Sequence, residues 1–254
     1  MPEIIRLEIV DSTSNYAKTI AAAGAPAWTA VLADAQTGGR GRMGRSFFSG
    51  RNLGMYLSVI LRPNCRAQHA AAITPLAAVA VRRAILTAAG ISADIKWVND
   101  LQIGGKKLCG ILTELSLSVG GTINYAVCGI GINVAHELAD FPPELREIVT
   151  SLRIEGAKVT RDQMVAAVLK SLTEVFKNGE IPESLADLRA EYAENCVTLG
   201  REVEILRHTA APETSQTRPR GRAVALTDSF ALEIEMEDGT VEIVSSGEVS
   251  VRPQ

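Results

Sequence analysis

The run Gln36–Arg45, QTGGRGRMGR, constrains this chain more than any other stretch. It places glycine at 38, 39, 41 and 44 and arginine at 40, 42 and 45. Glycine takes positive φ without steric cost and lets the backbone come close to a ligand. Arginine brings a permanently charged planar fork that suits phosphate and carboxylate. Such a run belongs in a loop. An apolar stretch, Trp28–Ala35, leads into it, and Phe47 and Phe48 follow it. Two readings stand side by side: a mobile loop that holds an anion, or a solvated basic turn, the usual fate of basic runs.

The charge balance favours a small ligand. The chain has 254 residues and a formal net charge of −3, whereas proteins that coat nucleic acid are usually basic. The three arginines are therefore a local positive feature on a mildly acidic body. That length allows one large domain, or one with a small companion. With 46% hydrophobic and 22% charged residues, the chain can bury a real core. Cys65, Cys109, Cys128 and Cys196 have no spacing that makes a zinc knuckle or a redox pair, so free thiols and no metal-ligand set are expected. The first ten residues carry charges and lack a signal-peptide core. The Ala-rich run Ala70–Ala89 is broken by Pro75, Arg82 and Arg83, and no apolar stretch reaches spanning length. A soluble cytoplasmic protein with no membrane partner is the expectation.

Taken in order, Ile4–Val10 alternates as a strand and runs into Asp11-Ser12-Thr13-Ser14-Asn15, a cluster of helix N-cap residues. A short helix is expected over Tyr16–Ala23. The hydroxyls at its start either cap the helix or face a ligand. Trp28–Ala35 and Leu53–Leu61 read as strands, and Ala70–Gly90 as a helix whose Arg82 and Arg83 face water. Ile95–Trp97 is a strand, and Gly104-Gly105 is a type I′ turn signal before the returning strand Leu108–Leu115. In the strand Ile123–Val134, Gly129 and Gly131 share one face, the mark of a close approach by a ligand, or of a bulge or tight helix packing. Helices are expected over Arg161–Lys177 and, starting at Pro182, over Ile181–Asn195, the latter with a solvated acidic face. After Cys196 come short β runs joined by turns, with a Pro-, Thr- and Arg-rich loop at His208–Arg222. These suggest a small β-barrel and a boundary near residue 196.

Five blocks in this order carry a family resemblance: Asp11-Ser12-Thr13-Ser14-Asn15; Gly39-Arg40-Gly41-Arg42-Met43-Gly44-Arg45; Lys96-Trp97-Val98-Asn99-Asp100-Leu101; Gly105-Lys106-Lys107-Leu108-Cys109-Gly110-Ile111-Leu112; and Gly129-Ile130-Gly131-Ile132-Asn133. The chain resembles the biotin protein ligases over essentially its whole length. The second and third blocks are specific to that family as a pair. The family's commonest third block has proline at the position of Val98, a change that leaves Lys96 and Asp100 in register. So few residues precede the first strand that the likeness is to the monofunctional class, without a DNA-binding winged helix.

The resemblance implies an α+β fold: a mixed-sheet catalytic domain with helices on one side over 1–196, and an SH3-like C-terminal domain over 197–254. It implies ATP, biotin and Mg²⁺, and a biotin carboxyl carrier protein as partner. A homodimer through the main sheet is compatible with the residues but not required by them. Lys96 would bridge the biotin carboxylate and the α-phosphate, stabilising charge as it develops. Arg40, Arg42 and Arg45 would hold phosphates on a lid made flexible by Gly38, Gly39, Gly41 and Gly44. Ser12, Thr13 and Gln36 would serve the biotin ureido group. Gly129 and Gly131 would leave room for the biotin bicycle. Asn15, Trp97, Asn99, Gly110, Ile111 and Asn133 complete the expected ligand contacts, and Asp100 is a candidate for deprotonating the acceptor lysine. Two rivals remain: a lipoate protein ligase of the same catalytic fold, and a nucleic-acid-binding module. The second is disfavoured by the negative charge and by an aromatic content of 4%.

Overall fold

The computed structural model describes residues 3–206, 219–245 and 248–251. Most of the expected loop His208–Arg222 lies outside them. Seven strands form the main sheet: β1 (Ile4–Val10), β2 (Ala30–Gln36), β3 (Gly54–Leu61), β4 (Asp94–Lys96), β5 (Asp100–Ile103), β6 (Lys106–Leu117) and β7 (Ile123–Asn133). Their order is β1-β2-β3-β7-β6-β5-β4. β1 runs parallel to β2 and every other pairing is antiparallel, so the sheet is mixed. The β5–β6 connection has positive φ at both Gly104 (55°) and Gly105 (79°), as a type I′ turn requires.

Helices cover both faces of this sheet, which corrects the expectation of helices on one side. The cause is strand alternation. In β2 and β3, Leu32, Leu57 and Val59 point one way and Val31 and Ile60 the other. The first set packs under α2 (Ile73–Ala89) and α3 (Arg161–Val175), through Leu76, Ala80, Val168 and Leu172. The second set packs under α1 (Thr13–Ala22), through Ala17 and Ala21. Because α1 is short, it covers only part of its face and leaves the rest open.

The continuous helical stretch Ala67–Ala89 is long and apolar enough to cross a membrane by length and composition, and 67% of an apolar 18-residue segment within it is buried. Its apolar character serves the core between the sheet and α3. Arg83 is partly exposed but not a lone surface charge. It pairs with Glu191 of α4 (Ala186–Glu194), and Arg82 donates to the Ala93 carbonyl at 3.0 Å. α4 begins at Ala186 rather than at Pro182, so the expected helix there is shorter.

The C-terminal strands β8 (Glu202–Leu206), β9 (Arg220–Leu226), β10 (Leu232–Met236), β11 (Val241–Val244) and β12 (Glu248–Val251) form a second, antiparallel sheet in the order β11-β10-β9-β8-β12. Its buried Val203, Ile205, Leu232 and Ile234 belong to the same hydrophobic cluster as α2 and the main sheet. The core is therefore continuous across residue 196. Residues 195–198 join the two sheets: Ile95 donates to the Asn195 carbonyl at 2.8 Å and Val197 donates to the Ile95 carbonyl at 3.0 Å.

Candidate active site

The part of the sheet that α1 leaves open carries two transverse rows of residues, set by register. Lys96 lies beside Asp100, Asp100 beside Gly110, Gly110 beside Gly131, and Gly131 beside Tyr56. One pleat further along, Leu112, Gly129 and Ser58 form a second row. Three glycines on two neighbouring strands make a depression in the floor. The Gly-Arg loop folds over it, pinned by an Arg40–Ser46 bridge and by Gly41 donating to the Arg45 carbonyl at 2.7 Å. Between them lies a cavity of about 240 Å³.

The cavity brings together most of the residues singled out in the sequence. Ser12, Thr13 and Gln36 line one end, Arg40, Gly41, Arg42 and Arg45 the roof, and Lys96, Trp97 and Asn99 the opposite wall. Gly110, Ile111, Gly129 and Gly131 line the floor. Asn15, Gly38, Gly39 and Asn133 do not reach it. Asn133 donates to the Thr150 carbonyl at 2.9 Å and fixes that neighbouring segment. Gly38 donates to the Asp11 carbonyl at 2.8 Å, and Gly39 packs against the Phe47 carbonyl and Ser49, so both shape the base of the loop. Asn15 bridges two side chains, receiving Arg40 at 2.8 Å and donating to Asp11 at 2.6 Å. That second bond is the main reason the Asp11 carboxyl sits below the usual carboxylate range.

Gly129 and Gly131 line the cavity floor, and each also lies directly beneath a protein side chain. A Cβ on Gly131 would lie 2.6 Å from the Phe47 ring, and one on Gly129 would lie 2.5 Å from Ser14 Oγ. The glycines let these side chains sit down on the sheet, and Phe47 becomes part of the cavity wall.

At the neutral polar end, one chain of hydrogen bonds fixes Thr13 and Gln36. Ser58 Oγ donates to Thr13 Oγ1 at 2.8 Å, and the Thr13 hydroxyl and N–H both donate to Gln36 Oε1, at 3.1 and 2.9 Å. Gln36 Nε2 donates to Ser49 Oγ at 2.8 Å, and Ser49 donates to the Phe47 carbonyl at 3.0 Å. Ser12 occupies the N-cap position of α1, yet its side chain makes no capping bond. The simple capping explanation of Ser12 therefore has no bond behind it, and Ser12 is among the residues that line the cavity.

Five cationic side chains line the cavity, Arg40, Arg42, Arg45, Lys96 and Lys107, against one carboxylate, Asp100. The site thus favours an anion. Lys107 was not legible as a site residue. It follows a surface-type glycine turn, but a register shift between β5 and β6 at Leu101/Gln102 accompanies its turn inward, where its Nζ meets Asp100 Oδ1 at 2.8 Å. The residues Ser14, Ser46, Phe47, Tyr56, Leu112 and Leu206 also line the cavity unanticipated. For Phe47 a signal existed: an aromatic directly after the loop matches the glycines at 110 and 131.

Behind the cavity, Tyr56 donates to the Gly50 carbonyl at 2.9 Å and approaches His136 Nε2 at 3.5 Å. His136 is fully buried and stacks on Phe141 with ring centroids 4.7 Å apart. Burial holds its pKa down to about 4, so the ring is neutral near neutral pH.

Fold and site together define an enzyme-type cleft, with a cationic loop over a sheet floor at one end and neutral polar side chains at the other. The biotin/lipoate A/B protein ligase family model matches residues 7–133. The bifunctional ligase/repressor BirA of Bacillus spizizenii is 34% identical over 244 residues, covering 96% of this chain and 72% of that protein. The biotin–acetyl-CoA-carboxylase ligase of Paracoccus denitrificans is 41% identical over 130 residues, 49% of this chain and 52% of that one. Among solved structures, the biotin protein ligase from Aquifex aeolicus in complex with biotin and ATP superposes with a TM-score of 0.78 at 29% identity, covering 100% of both chains. The chain belongs to the biotin/lipoate A/B protein ligase family, among its biotin protein ligases.

Proposed function

We propose that the chain couples biotin to a carrier protein in two half-reactions at this cavity. The biotin carboxylate oxygen attacks the α-phosphorus of ATP, forming biotinyl-5′-adenylate and releasing pyrophosphate. The Nζ of a lysine on a biotin carboxyl carrier domain then attacks the acyl carbon. An amide forms, AMP leaves, and the lysine gives up a proton.

The observation that carries this reading is the polarity of the cavity. A neutral end (Ser12, with Thr13 and Gln36 fixed by hydrogen bonds) suits the ureido ring, and the five cations suit two converging anions. Lys96, on the wall at the end of β4, bridges carboxylate and α-phosphate. Lys107 stands across the same row and adds a second charge there. Arg40, Arg42 and Arg45 hold phosphate oxygens from above. Asn99 ties the roof to the floor, accepting from Arg42 at 3.2 Å and donating to the Ile111 carbonyl at 3.0 Å. Closure of the loop keeps water from the mixed anhydride. Asp100 already pairs with Lys107, and that contact leaves it poorly placed as a base for the acceptor lysine.

Among the described residues, no group of three potential ligands could cage a metal ion. Mg²⁺ enters this reading only as a partner of the triphosphate oxygens and water, and no step is assigned to it. The reading divides the chain into a catalytic part, 1–196, and a C-terminal part, 197–254, with an SH3-like barrel. It concerns the ligase activity alone.

The test is ATP-dependent transfer of biotin to a purified carrier domain, followed by intact mass, with lipoate as the competing acid. Biotin transfer with release of pyrophosphate and AMP supports the proposal. Transfer of lipoate alone, or none with either acid, refutes it.

A further inference from the structure

Glu114 stands on β6 on the same face as Gly110 and Leu112, just beyond the cavity floor. Its carboxylate meets two cations at one oxygen. Lys18 Nζ from α1 lies 2.8 Å from Oε1, and Arg40 Nη1 from the roof loop lies 2.9 Å from the same atom. The side chain is 20% exposed, and Oε2 is buried with no hydrogen-bond partner among the described residues.

A carboxylate held away from water loses hydration and needs compensation. Lys18, on the helix packed directly against this face, supplies it. A second cation brought in from a glycine-rich loop is more than neutralisation requires. The contact instead fixes Arg40. Its Nη1 is shared between Glu114 and Asn15 Oδ1, which lies 2.8 Å away. Both anchors use the same guanidinium nitrogen. Among the described residues the remaining nitrogens of the fork have no other partner, and Arg40 lines the cavity.

We propose that Glu114 is a positioning residue for the ligase reaction: it anchors one end of the Arg40 guanidinium to the sheet so that the other end meets the triphosphate. This rests on the assignment of Arg40 to phosphate given above. Glu114 touches no substrate. It acts by removing rotamer freedom from a long side chain on a flexible loop, so its effect belongs to ATP and not to biotin.

The experiment compares Glu114→Gln, Arg40→Ala and the double variant in the full chain, measuring KM for ATP, KM for biotin and kcat for pyrophosphate release. Glu114→Gln keeps the shape and removes the charge. The expected result is a rise of about tenfold in the KM for ATP, the scale of one positioned charge-assisted hydrogen bond. The KM for biotin stays within about twofold, and Glu114→Gln adds nothing once Arg40 is alanine. Glu114→Asp, which keeps the charge but draws the shared oxygen back from both Lys18 and Arg40, should raise the KM for ATP likewise and carries the test if Glu114→Gln does not fold. If Arg40→Ala weakens ATP but the Glu114 variants do not, the anchor is wrong and the role of Arg40 stands. If Arg40→Ala leaves the KM for ATP unchanged, the phosphate assignment fails and the anchor with it. Equal losses toward ATP and biotin, or full additivity with Arg40→Ala, would show a merely structural carboxylate.

Discussion

Thr198 Oγ1 accepts the backbone N–H of Trp97 at 3.0 Å, across 101 positions of the chain. The hydroxyl is fully buried, and Trp97 follows Lys96 directly. The same tryptophan donates its indole Nε1–H to the Phe230 carbonyl at 2.9 Å. β4 is an edge strand of three residues. β5 on one side, and on the other the Ile95 bonds to Asn195 and Val197 together with this clasp, hold the strand that carries Lys96, and the clasp comes from the C-terminal part of the chain.

Thr198→Val keeps the shape and removes the acceptor. A buried N–H without a partner costs about 1–3 kcal/mol. The urea unfolding midpoint should fall accordingly, and adenylate formation should slow in the folded enzyme because Lys96 loses its support. An unchanged midpoint and rate would show that the clasp does not matter.

Lys96→Met should lower pyrophosphate release by roughly 10²–10³-fold, the scale of one lost preorganised charge in a transition state. Lys96 makes no ion pair among the described residues, so the thermal midpoint should hardly move. Near-normal release with an intact fold would remove Lys96 from the reaction.

Arg42→Gly cuts the tie between the roof and Asn99. Adenylate should still form, but the loop should retain it poorly and label bystander lysines. Intact-mass analysis of an unrelated protein included in the reaction reads this directly. Labelling confined to the carrier domain would count against the lid role of Arg42.

Gly131→Ala should act through Phe47. The added methyl would meet the ring at 2.6–3.0 Å, so the ring must leave its seat. The biotin KM should rise about tenfold or more, equivalent to about 1.4 kcal/mol, with a smaller change for ATP. Gly129→Ala meets Ser14 Oγ instead and should break the 3.1 Å Ser14–Ser58 contact, costing about 1 kcal/mol of stability. If calorimetry finds native biotin affinity in Gly131→Ala, Phe47 is no part of the ligand wall.

His136 supplies a pH dependence of stability. Burial is the main cause of its depressed pKa; Asp140 opposes the shift and Arg153 adds to it. The folded value is about 4 and the ordinary value 6.5, so the unfolded chain binds more protons. The contribution is complete above about pH 6.5 and is lost as pH falls toward 4, amounting to about 3 kcal/mol at most. His136→Phe should flatten the stability profile between those limits, as measured by urea unfolding across pH. An unaltered slope would mean that another group titrates.

Several elements were readable from local sequence alone. Alternation in Ile4–Val10, the Gly104-Gly105 turn and the apolar stripe of α2 depend on near neighbours, and each formed where expected. The Gly-Arg loop and the Lys96 block were legible as a pair through the family resemblance, since glycine and arginine at such density also suit a solvated basic turn. Local sequence misplaced the start of α4, since Pro182 marks a permissible helix start and packing chooses the real one.

Tertiary structure decided what register and packing alone can decide. Strand alternation told which residues share a face, but not which face a helix would cover, so α1 and the α2–α3 pair fell on opposite sides. The spacing of Gly129 and Gly131 announced a close approach, and only the folded chain showed that Phe47 and Ser14 make it. Lys107, Glu114 and Thr198 act through partners 7, 74 and 101 positions away. No periodicity in a sequence reports such distances. The amino-acid sequence by itself determined the chemistry available to this protein: an arginine fork on glycine hinges, a strand-end lysine and a set of neutral hydroxyls. The tertiary structure decided their order around one cavity, because hydrogen-bond register across strands, and not position along the chain, brings side chains within reach of one another.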